Sequence, residues 1–226
     1  MKYKNIIKGR FLSRPNRFIA NVEIDGKEEV CHVKNTGRCK ELLTYGAVVI
    51  LEISKNPLRK TKYDLVAVYK GNRLINIDSQ APNKVFMEWA KESNFFGKEI
   101  YIRPETKYKN SRFDFYIESG DRKIFVEVKG VTLEENGVVM FPDAPTLRGV
   151  KHINELCDAK KDGYESYIFF VTQMEDVLYF TPNRKTHKEF ADALLNAKNK
   201  GVNIMCVDCV VDDDSLKINK FVKTEV

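Results

Sequence analysis

Residues 112–129 constrain the fold of this chain most, because two stretches of alternating apolar and polar residues flank Gly120-Asp121 there. A glycine followed by an aspartate between such stretches predicts a two-residue β-hairpin turn, and glycine at the first central position favours type II′. This turn pairs Phe115 with Val126. One face of the hairpin would then be entirely apolar, so we expect it to be buried. Its side chains are Phe113, Phe115, Ile117, Ile124, Val126 and Val128.

The opposite face of this hairpin would bring charged groups together. Asp114 would lie opposite Glu127, and Lys129 would project from the same face because it lies two residues further along the strand. Two like charges that face each other destabilise a sheet, and a bound cation would remove that cost. Oxygen ligands of this kind suit Mg²⁺ or Mn²⁺. The alternative is an exposed sheet face whose charges are solvated.

The order Asp, Glu-x-Lys on a hairpin is the arrangement used by PD-(D/E)xK nucleases. We therefore expect Asp114 and Glu127 to be metal ligands, and Lys129 to help a water molecule attack a phosphodiester. Glu88 lies in a predicted helix before the hairpin and is a further catalytic candidate. A solvent-facing helix residue is the alternative for Glu88.

The spacing of apolar residues predicts a helix over Leu147–Lys161, with its charged residues three and four positions apart. We expect Lys151 and His152 to be catalytic residues at the hairpin site, with His152 able to carry a proton. Arg148 would bind phosphate there. The alternative is a solvated helix face.

Before residue 82 the sequence predicts short strands, at residues 18–24, 30–33, 47–53, 63–69 and 73–77. Residues 35–43 lie between the second and third of these strands, and we expect one or two helical turns there. Short strands with a basic surface favour a small β-barrel similar to the OB fold, which commonly binds oligonucleotides. We therefore expect an OB-like nucleic-acid-binding domain over residues 1–81.

Ala81-Pro82-Asn83 predicts a domain boundary and the start of a helix that includes residues 85–91. The remaining pattern mixes both element types, so residues 82–226 are expected to form an α/β nuclease-like domain with a mixed sheet. The chain as a whole is then of the mixed α+β class. The predicted strands are 112–118, 123–129, 138–141, 167–172, 177–180 and 202–211, and the last predicted helix is 186–200.

The charge of the chain is uneven. Residues 1–81 have a balance of +8, whereas residues 82–226 have a balance of −2. This favours an anionic partner, with nucleic acid first and a membrane surface second, and a solvated basic surface is the alternative. We expect three arginines to contact phosphates and neutral neighbours to add hydrogen bonds. The candidates are Arg14, Arg17 and Arg38, with Asn16, Asn35, Thr36 and His32.

Turn chemistry is an alternative for the polar candidates, since Pro15-Asn16 and Thr36-Gly37 are common turn residues. His32 is either part of the binding surface or a structural histidine. The five scattered cysteines are expected to be reduced core thiols, including the pair Cys206 and Cys209. The N-terminus shows no apolar signal region and the chain has no long apolar run, so we expect a cytoplasmic protein outside the membrane.

Several motifs together resemble the sugar fermentation stimulation protein A family. They lie at residues 14–18, 32–38, 41–43, 111–115 and 127–133, and in the unusual segment FPDAPTLRGVKH at residues 141–152. The resemblance implies an N-terminal OB-like domain, a C-terminal nuclease-like domain, a cytosolic prokaryotic protein and DNA as the partner. The residue before Asp114 is Phe113, where the nuclease signature often has proline.

Two functions follow from these expectations. The first is a Mg²⁺-dependent or Mn²⁺-dependent nuclease, with DNA the first expected substrate. The second is a DNA-binding regulator of sugar metabolism on a nuclease-like scaffold, without catalysis. A protein-interaction barrel beside an unrelated acidic site is a third possibility, which the basic first domain disfavours. Steep salt dependence would indicate phosphate binding, and metal dependence would indicate catalysis.

Overall fold

The computed structural model describes residues 1–35 and 37–226. Within these residues the first domain is a closed five-stranded barrel, in the strand order β3-β2-β1-β4-β5. The barrel closes because β3 pairs with β5 in parallel, while the other neighbours are antiparallel. A further strand, β6, extends the sheet beyond β5. The strands are β1 (Ile6–Asn16), β2 (Ile19–Ile24), β3 (Lys27–Val33), β4 (Val48–Ile53), β5 (Tyr63–Lys70) and β6 (Arg73–Asn76).

The barrel confirms the expected OB-like domain but corrects two local predictions. Strand β1 was not predicted, because its mostly basic and polar residues hide the alternation that places Phe11 in the core. Residues 35–43 were expected to contain helical turns, and within the described residues they form turns instead. Leu42 and Leu43 are buried there, and both backbone N–H groups donate to the carbonyl of Cys39. Packing of these leucines into the barrel core therefore fixes the segment without a helix.

The second domain is built on a mixed sheet, as predicted, and its strand order is β15-β14-β12-β9-β8-β7. Its central strands β9, β12 and β14 are parallel, and the outer strands are antiparallel. The domain begins with α1 (Ala81–Glu92), β7 (Tyr101–Tyr108), β8 (Ser111–Ser119) and β9 (Arg122–Val131). Helix α2 (Leu147–Lys161) lies in the connection from β9 to β12 (Glu165–Thr172), and α3 (Lys188–Asn199), β14 (Asn203–Asp212) and β15 (Ser215–Phe221) follow.

The helices cover the two faces of this sheet. Helix α1 packs on one face through Phe86, which contacts Phe115 and Phe169. Helix α2 packs on the other face and against α3. Cys206 and Cys209 lie in the cores on the two opposite sides, and both thiols are free. The predicted core role of this pair is therefore confirmed.

A smaller sheet lies beside the main one, in the order β10-β11-β13-β16. Its strands are β10 (Leu133–Glu135), β11 (Val138–Phe141), β13 (Tyr179–Pro182) and β16 (Lys223–Thr224). Glu134 of β10 connects it to the barrel, because its carboxylate bonds Lys70 at 2.7 Å and Arg73 at 3.0 Å. These ion pairs join the two domains through largely buried groups.

The predicted helices are present with shifted ends. Helix α2 has the predicted bounds, and α3 is shorter than expected. Helix α1 begins at Ala81, within the predicted start, and includes residues 85–91 as expected, since Pro82 suits the first turn of a helix. Strand β7 was not predicted, since it is exposed along much of its length. Among the described residues, no helix has the length and apolar character required to cross a membrane.

Candidate active site

The hairpin predicted from residues 112–129 forms between β8 and β9. Phe115 pairs with Val126, and Ile117 pairs with Ile124, which is the predicted register. Gly120 has a φ of 57°, as the first central residue of a type II′ turn requires. Glycine takes this conformation without steric cost. The turn and the local alternation therefore determine the hairpin from its tip back to Phe115.

The ladder between β8 and β9 stops just before Asp114, so the predicted direct pairing of Asp114 with Glu127 is wrong. The Oδ2 atom of Asp114 accepts a hydrogen bond from the backbone N–H of Val128 at 2.8 Å. Its Oδ1 atom accepts from Nδ2 of Asn83 in α1 at 2.9 Å. The carboxylate thus provides the acceptor that the ladder would otherwise supply, and the N–H of Val128 remains satisfied.

The alternation of side chains along β8 breaks at the same point. Phe115 packs on Phe86 with ring centroids 5.0 Å apart, on the α1 side of the sheet. Phe113 packs on Phe125 at 5.1 Å, in the core on the α2 side. The prediction that Phe113 and Phe115 share one apolar face is therefore wrong. The carboxylate of Asp114, between them in sequence, accepts hydrogen bonds from the backbone of Val128 and from Asn83 of α1. At this residue the side chains of β8 stop alternating between the two faces of the sheet.

Glu127 is the most enclosed charged group of the site, at 2% exposure. Its Oε1 atom accepts a hydrogen bond from Nζ of Lys129, and Nδ1 of His152 bonds the same oxygen. Its Oε2 atom is buried and has no hydrogen-bond partner within the described residues. A buried carboxylate oxygen without a partner destabilises a protein. This atom is therefore a candidate ligand for a cation.

The two carboxylates have opposite pKa shifts. Burial raises the pKa of Asp114, and the negative charge of Glu127 raises it further. Burial also acts to raise the pKa of Glu127, but the charge of Lys129 and the hydrogen bond from His152 outweigh it. The pKa of Glu127 is therefore held below its ordinary value. A cation beside Asp114 would oppose both causes and lower the pKa of this carboxyl group.

His152 lies between Glu127 and a second residue of α2. Its Nε2 atom is 3.4 Å from Nε of Arg148, one helical turn earlier. Because a guanidinium group only donates hydrogen bonds, Nε2 is the acceptor and Nδ1 carries the proton. His152 therefore donates through Nδ1 to Glu127 and fixes the orientation of its carboxylate. The predicted helix spacing thus does bring Arg148 and His152 to the hairpin.

Two other predicted catalytic residues bond partners other than the two carboxylates, although Glu88 lines the same surface pocket as Asp114. Nζ of Lys151 donates to the backbone carbonyl of Asn110 at 3.2 Å. The carboxylate of Glu88 is ion-paired with the N-terminal ammonium of Met1 at 2.7 Å. In the described residues, neither contacts the two carboxylates of the hairpin.

The residue of α1 that bonds Asp114 is Asn83, which is not among the functional residues predicted from the sequence. An amide near a helix start is common and gives no signal by itself. Its position after Pro82 in the first turn was the available clue. Only the packing of α1 on the sheet places its Nδ2 atom beside Asp114.

In the barrel, the side chain of Arg14 is largely engaged with backbone carbonyls. Its NH1 atom donates to the carbonyl of Arg38 at 2.7 Å, and NH2 donates to those of Arg17 and Asn35 at 2.8 and 2.6 Å. These bonds hold together the β1–β2 turn, on which Arg17 lies, and the β3–β4 loop, on which Arg38 lies. We therefore interpret Arg14 as a residue that shapes this surface.

The two asparagines in this region follow the turn-chemistry alternative. Oδ1 of Asn16 accepts hydrogen bonds from the N–H groups of Phe18 and Ile19 at 2.9 and 3.1 Å. Oδ1 of Asn35 accepts from the N–H of Gly37 at 2.7 Å, and its Nδ2 donates to the carbonyl of Ile77. Their side chains stabilise local backbone.

His32 follows the structural alternative. Its Nδ1 atom bonds Oδ1 of Asp64 at 2.9 Å across the parallel pairing of β3 and β5. Asp64 is also bonded by Arg59 at 2.7 Å. Burial acts to raise the pKa of Asp64, but these hydrogen bonds and the nearby charge of Lys34 hold it below its ordinary value. The group stabilises the closure of the barrel.

Arg17 and Arg38 are exposed at the rim of the barrel. The guanidinium of Arg17 lies 4.7 Å from the ring centroid of Phe18, which is itself 44% exposed. Cations beside exposed aromatic rings are typical of surfaces that bind single-stranded nucleic acid. Thr36, the remaining candidate of this group, lies outside the described residues.

The donor set at the hairpin limits the kind of metal site. Across residues 1–35 and 37–226, no group of three or more histidine, cysteine, aspartate or glutamate side chains is arranged to hold a metal ion. The described residues therefore offer two carboxylates, Asp114 and Glu127, as the acidic donors at the hairpin. One or two carboxylates are the usual protein ligands of Mg²⁺ in sites that also bind phosphate.

Comparisons with known proteins agree over the whole chain. Residues 12–77 match the family described as "SfsA N-terminal OB domain", and residues 80–215 match "Sugar fermentation stimulation protein RE domain". A sugar fermentation stimulation protein homolog of Clostridium beijerinckii is 61% identical over 98% of both chains. Another, of Ruminiclostridium cellulolyticum, is 60% identical over 100% of both chains. The solved structure of Pyrococcus furiosus SfsA in complex with Ca²⁺ is 27% identical, with a TM-score of 0.91 over 100% of this chain and 98% of that one.

Proposed function

The chain belongs to the sugar fermentation stimulation protein (SfsA) family, and from its geometry we propose that it is a DNA-binding protein with metal-dependent nuclease activity. The observation that carries the proposal is the state of Glu127. This carboxylate is buried beside Lys129, and its Oε2 atom lacks a hydrogen-bond partner within the described residues. Asp114 lies close enough for the charge of Glu127 to raise its pKa. Such an arrangement is suited to a divalent cation.

The residues present fit a hard cation such as Mg²⁺ or Mn²⁺. Asp114 and Glu127 would hold it through carboxylate oxygens, which are the preferred ligands of these ions. The Ca²⁺ complex of the Pyrococcus furiosus relative supports divalent-cation binding in a protein of this fold. When bound, such an ion polarises a phosphodiester and lowers the pKa of a coordinated water molecule.

The other side chains of the site have distinct roles in this proposal. Lys129 lies on the carboxylate of Glu127, where its ammonium can orient a water molecule and stabilise negative charge that develops on phosphate. His152 donates from Nδ1 to Glu127 and keeps its carboxylate oriented. Arg148 contacts His152 and is exposed, so it can also contact a phosphate of the substrate.

The barrel is proposed to bind the nucleic-acid strand. The first domain contains the excess positive charge of the chain, which favours binding of a polyanion such as nucleic acid. Arg17 and Arg38 would contact phosphates, and the exposed ring of Phe18 would stack on a base. The exposed loop around Arg14 would be held in shape by its hydrogen bonds to backbone carbonyls.

A regulator that binds DNA without cutting it is the second candidate. One observation favours it: both oxygens of Asp114 accept hydrogen bonds, from Asn83 and from the backbone of Val128. A carboxylate engaged in this way also fits a purely structural role. In that case the two acidic residues would stabilise the sheet, and the basic barrel would still bind DNA.

The deciding experiment measures cleavage of labelled single-stranded and double-stranded DNA and RNA, with Mg²⁺ or Mn²⁺ against chelator. Wild type is compared with Lys129→Ala and with Lys123→Ala, a matched change of an exposed lysine on the same hairpin. Binding and thermal unfolding are measured on the same samples. The nuclease proposal expects metal-dependent cleavage by wild type and Lys123→Ala, and its loss in Lys129→Ala with binding retained. Binding of DNA without cleavage of any substrate would contradict the nuclease and favour the regulator.

A further inference from the structure

A cavity of about 330 Å³ lies where the barrel meets the second domain. It is bounded by the barrel loop at Asn35 and Gly37, by the end of β9, and by the segment that leads into α2. The volume falls within the ~300–1,000 Å³ range of small-ligand sites. Its position between two domains is also typical of such sites. The function proposed above does not use it.

One buried side chain presents an unpartnered acceptor to this cavity. Gln173 lines the cavity and is 1% exposed. Its Nε2 atom donates to Oδ1 of Asn76 at 2.8 Å and to the carbonyl of Asp78 at 3.0 Å. These two bonds fix which way the amide faces. Its Oε1 atom accepts no hydrogen bond from the described residues and faces Gly130, which also lines the cavity, so this oxygen can accept a hydrogen bond from a ligand there.

A glycine keeps that acceptor accessible. A Cβ atom added to Gly130 would lie 2.6 Å from Oε1 of Gln173 and 2.7 Å from Pro82. Any side chain at residue 130 would therefore cover the oxygen. Gly130 itself lines the cavity, so the space left by the absent side chain leads from the cavity to Oε1.

The rest of the lining is largely neutral. Leu133, Met140 and Phe141 supply apolar surface, and Thr132 adds a hydroxyl group that has no hydrogen-bond partner in the described part of the chain. The charged side chain of the lining is Asp143, a carboxylate. A phosphate would be repelled by it and would find no cation in the lining. A flat heterocycle with N–H donors fits better, because its faces can pack on the apolar side chains while its N–H groups donate to Oε1 of Gln173 and the hydroxyl of Thr132.

The cavity shares two elements with the candidate active site. Gly130 directly follows Lys129 in β9, but consecutive strand residues face opposite sides of the sheet, and a side chain at residue 130 would meet Pro82 of α1. Thr146, which also lines the cavity, caps α2 by accepting a hydrogen bond from the N–H of Gly149. The same helix carries His152, which bonds Glu127. The first turns of α2 therefore connect the two places, and a strand bound at Glu127 and Lys129 would reach the cavity along them.

We propose that this cavity binds a nucleobase of the nucleic-acid strand held at the active site, with Oε1 of Gln173 as the acceptor for a base N–H group. This inference rests on the proposed function, because it requires that the protein bind nucleic acid. It adds a hydrogen bond to the edge of a base, whereas the barrel is proposed to contact phosphates and to stack Phe18 on the face of a base. A base edge read in the cavity would give the protein a preference among bases that phosphate contacts and stacking do not provide.

The test compares binding of single strands of about twelve nucleotides with binding of an abasic strand of the same length and charge. Fluorescence anisotropy is measured with Ca²⁺ in place of a catalytic cation. Three proteins are used: wild type, Met140→Trp, which fills the cavity, and Leu178→Trp, which adds the same ring at an exposed position outside it. Thr132→Val is a second cavity variant of nearly unchanged volume.

We expect wild type and Leu178→Trp to bind the base-bearing strands at least about fivefold more tightly than the abasic strand. Met140→Trp should bind the abasic strand as wild type does and lose most of the preference for base-bearing strands. Thr132→Val should reduce that preference. Equal binding of abasic and base-bearing strands by wild type would overturn this inference and the stacking of Phe18 on a base, while leaving the proposed phosphate contacts and nuclease site intact. A preference that survives in Met140→Trp would overturn it too. Failure to bind any strand would contradict both proposals.

Discussion

The carboxylate of Asp114 and the backbone N–H of Val128 form a hydrogen bond of 2.8 Å at the level where the ladder between β8 and β9 stops. A side chain thus replaces a strand carbonyl in the middle of the sheet. This bond keeps Asp114 beside the buried Glu127 although the two residues are not paired across the hairpin. Repulsion between the two carboxylates lowers the free energy of unfolding of the protein.

Asp114→Asn should stabilise the protein at about pH 7, because the new amide oxygen can still accept from Val128 and the charge repulsion with Glu127 is lost. Its NH2 group can donate to Oδ1 of Asn83 once the Asn83 amide turns over, which replaces the present bond from Asn83. We expect the free energy of unfolding to rise by about 1 kcal/mol, or roughly 2–4 °C in melting temperature. Asp121→Asn, in the exposed turn of the same hairpin, serves as the control and should change neither. A lower melting temperature for Asp114→Asn would mean that the negative charge itself stabilises the fold.

His152→Leu should weaken cation binding by about 10-fold to 100-fold, because the carboxylate of Glu127 loses the donor that orients it. Isothermal titration with Ca²⁺ or Mn²⁺ measures this directly. Lys151→Ala is the matched control on the same helix, since its ammonium contacts the carbonyl of Asn110 instead. An unchanged affinity in His152→Leu would show that His152 does not support the cation site.

Glu134→Gln should weaken the junction between the two domains. Burial on its own raises the pKa of Glu134, but the hydrogen bond from Lys70 and the nearby charge of Arg73 hold that pKa below its ordinary value. The carboxylate therefore stabilises the folded protein above the unfolded pKa of about 4.3, and this contribution is lost as pH falls through the folded pKa.

Thermal unfolding across pH tests this contribution. The difference in melting temperature between wild type and Glu134→Gln should be constant above about pH 6 and should shrink below about pH 4. Glu135→Gln, at the exposed neighbouring position, should show little difference at any pH. A difference for Glu134→Gln that does not depend on pH would contradict the ion-pair account.

Arg17→Ala should reduce DNA affinity and lower the slope of log affinity against log salt concentration by about 1, since one phosphate contact is removed. Its melting temperature should not change, because the side chain is exposed. Lys217→Ala, an exposed cation of β15, should leave affinity unaltered. Equal salt slopes for wild type and Arg17→Ala would remove Arg17 from the binding surface.

Arg14→Ala should behave differently from Arg17→Ala. Its guanidinium donates to three carbonyls, so its loss should lower the free energy of unfolding by about 1–3 kcal/mol as well as weaken binding. Arg14→Lys should not restore stability, because an ammonium cannot reach three carbonyls in the geometry of the guanidinium. Normal stability in Arg14→Ala with weakened binding would instead indicate direct contact with phosphate.

Local sequence determined a large part of this protein. The glycine at residue 120 and the alternation around it set the hairpin register, because pairing beside a tight turn depends on neighbouring residues alone. The period of α2 likewise placed Arg148 and His152 on one side of the helix. Charge counting located the basic barrel. Each of these predictions depends on residues close together in the chain.

Tertiary structure decided what the polar side chains bind. The switch of face at Asp114, the reach of Asn83 to its carboxylate and the loop contacts of Arg14 all join distant parts of the chain. The cavity at Gln173 forms only where the two domains meet. Sequence periodicity could not predict these features, because a buried polar group takes whichever partner the packed elements bring within hydrogen-bond distance, and that partner is set by how the elements dock.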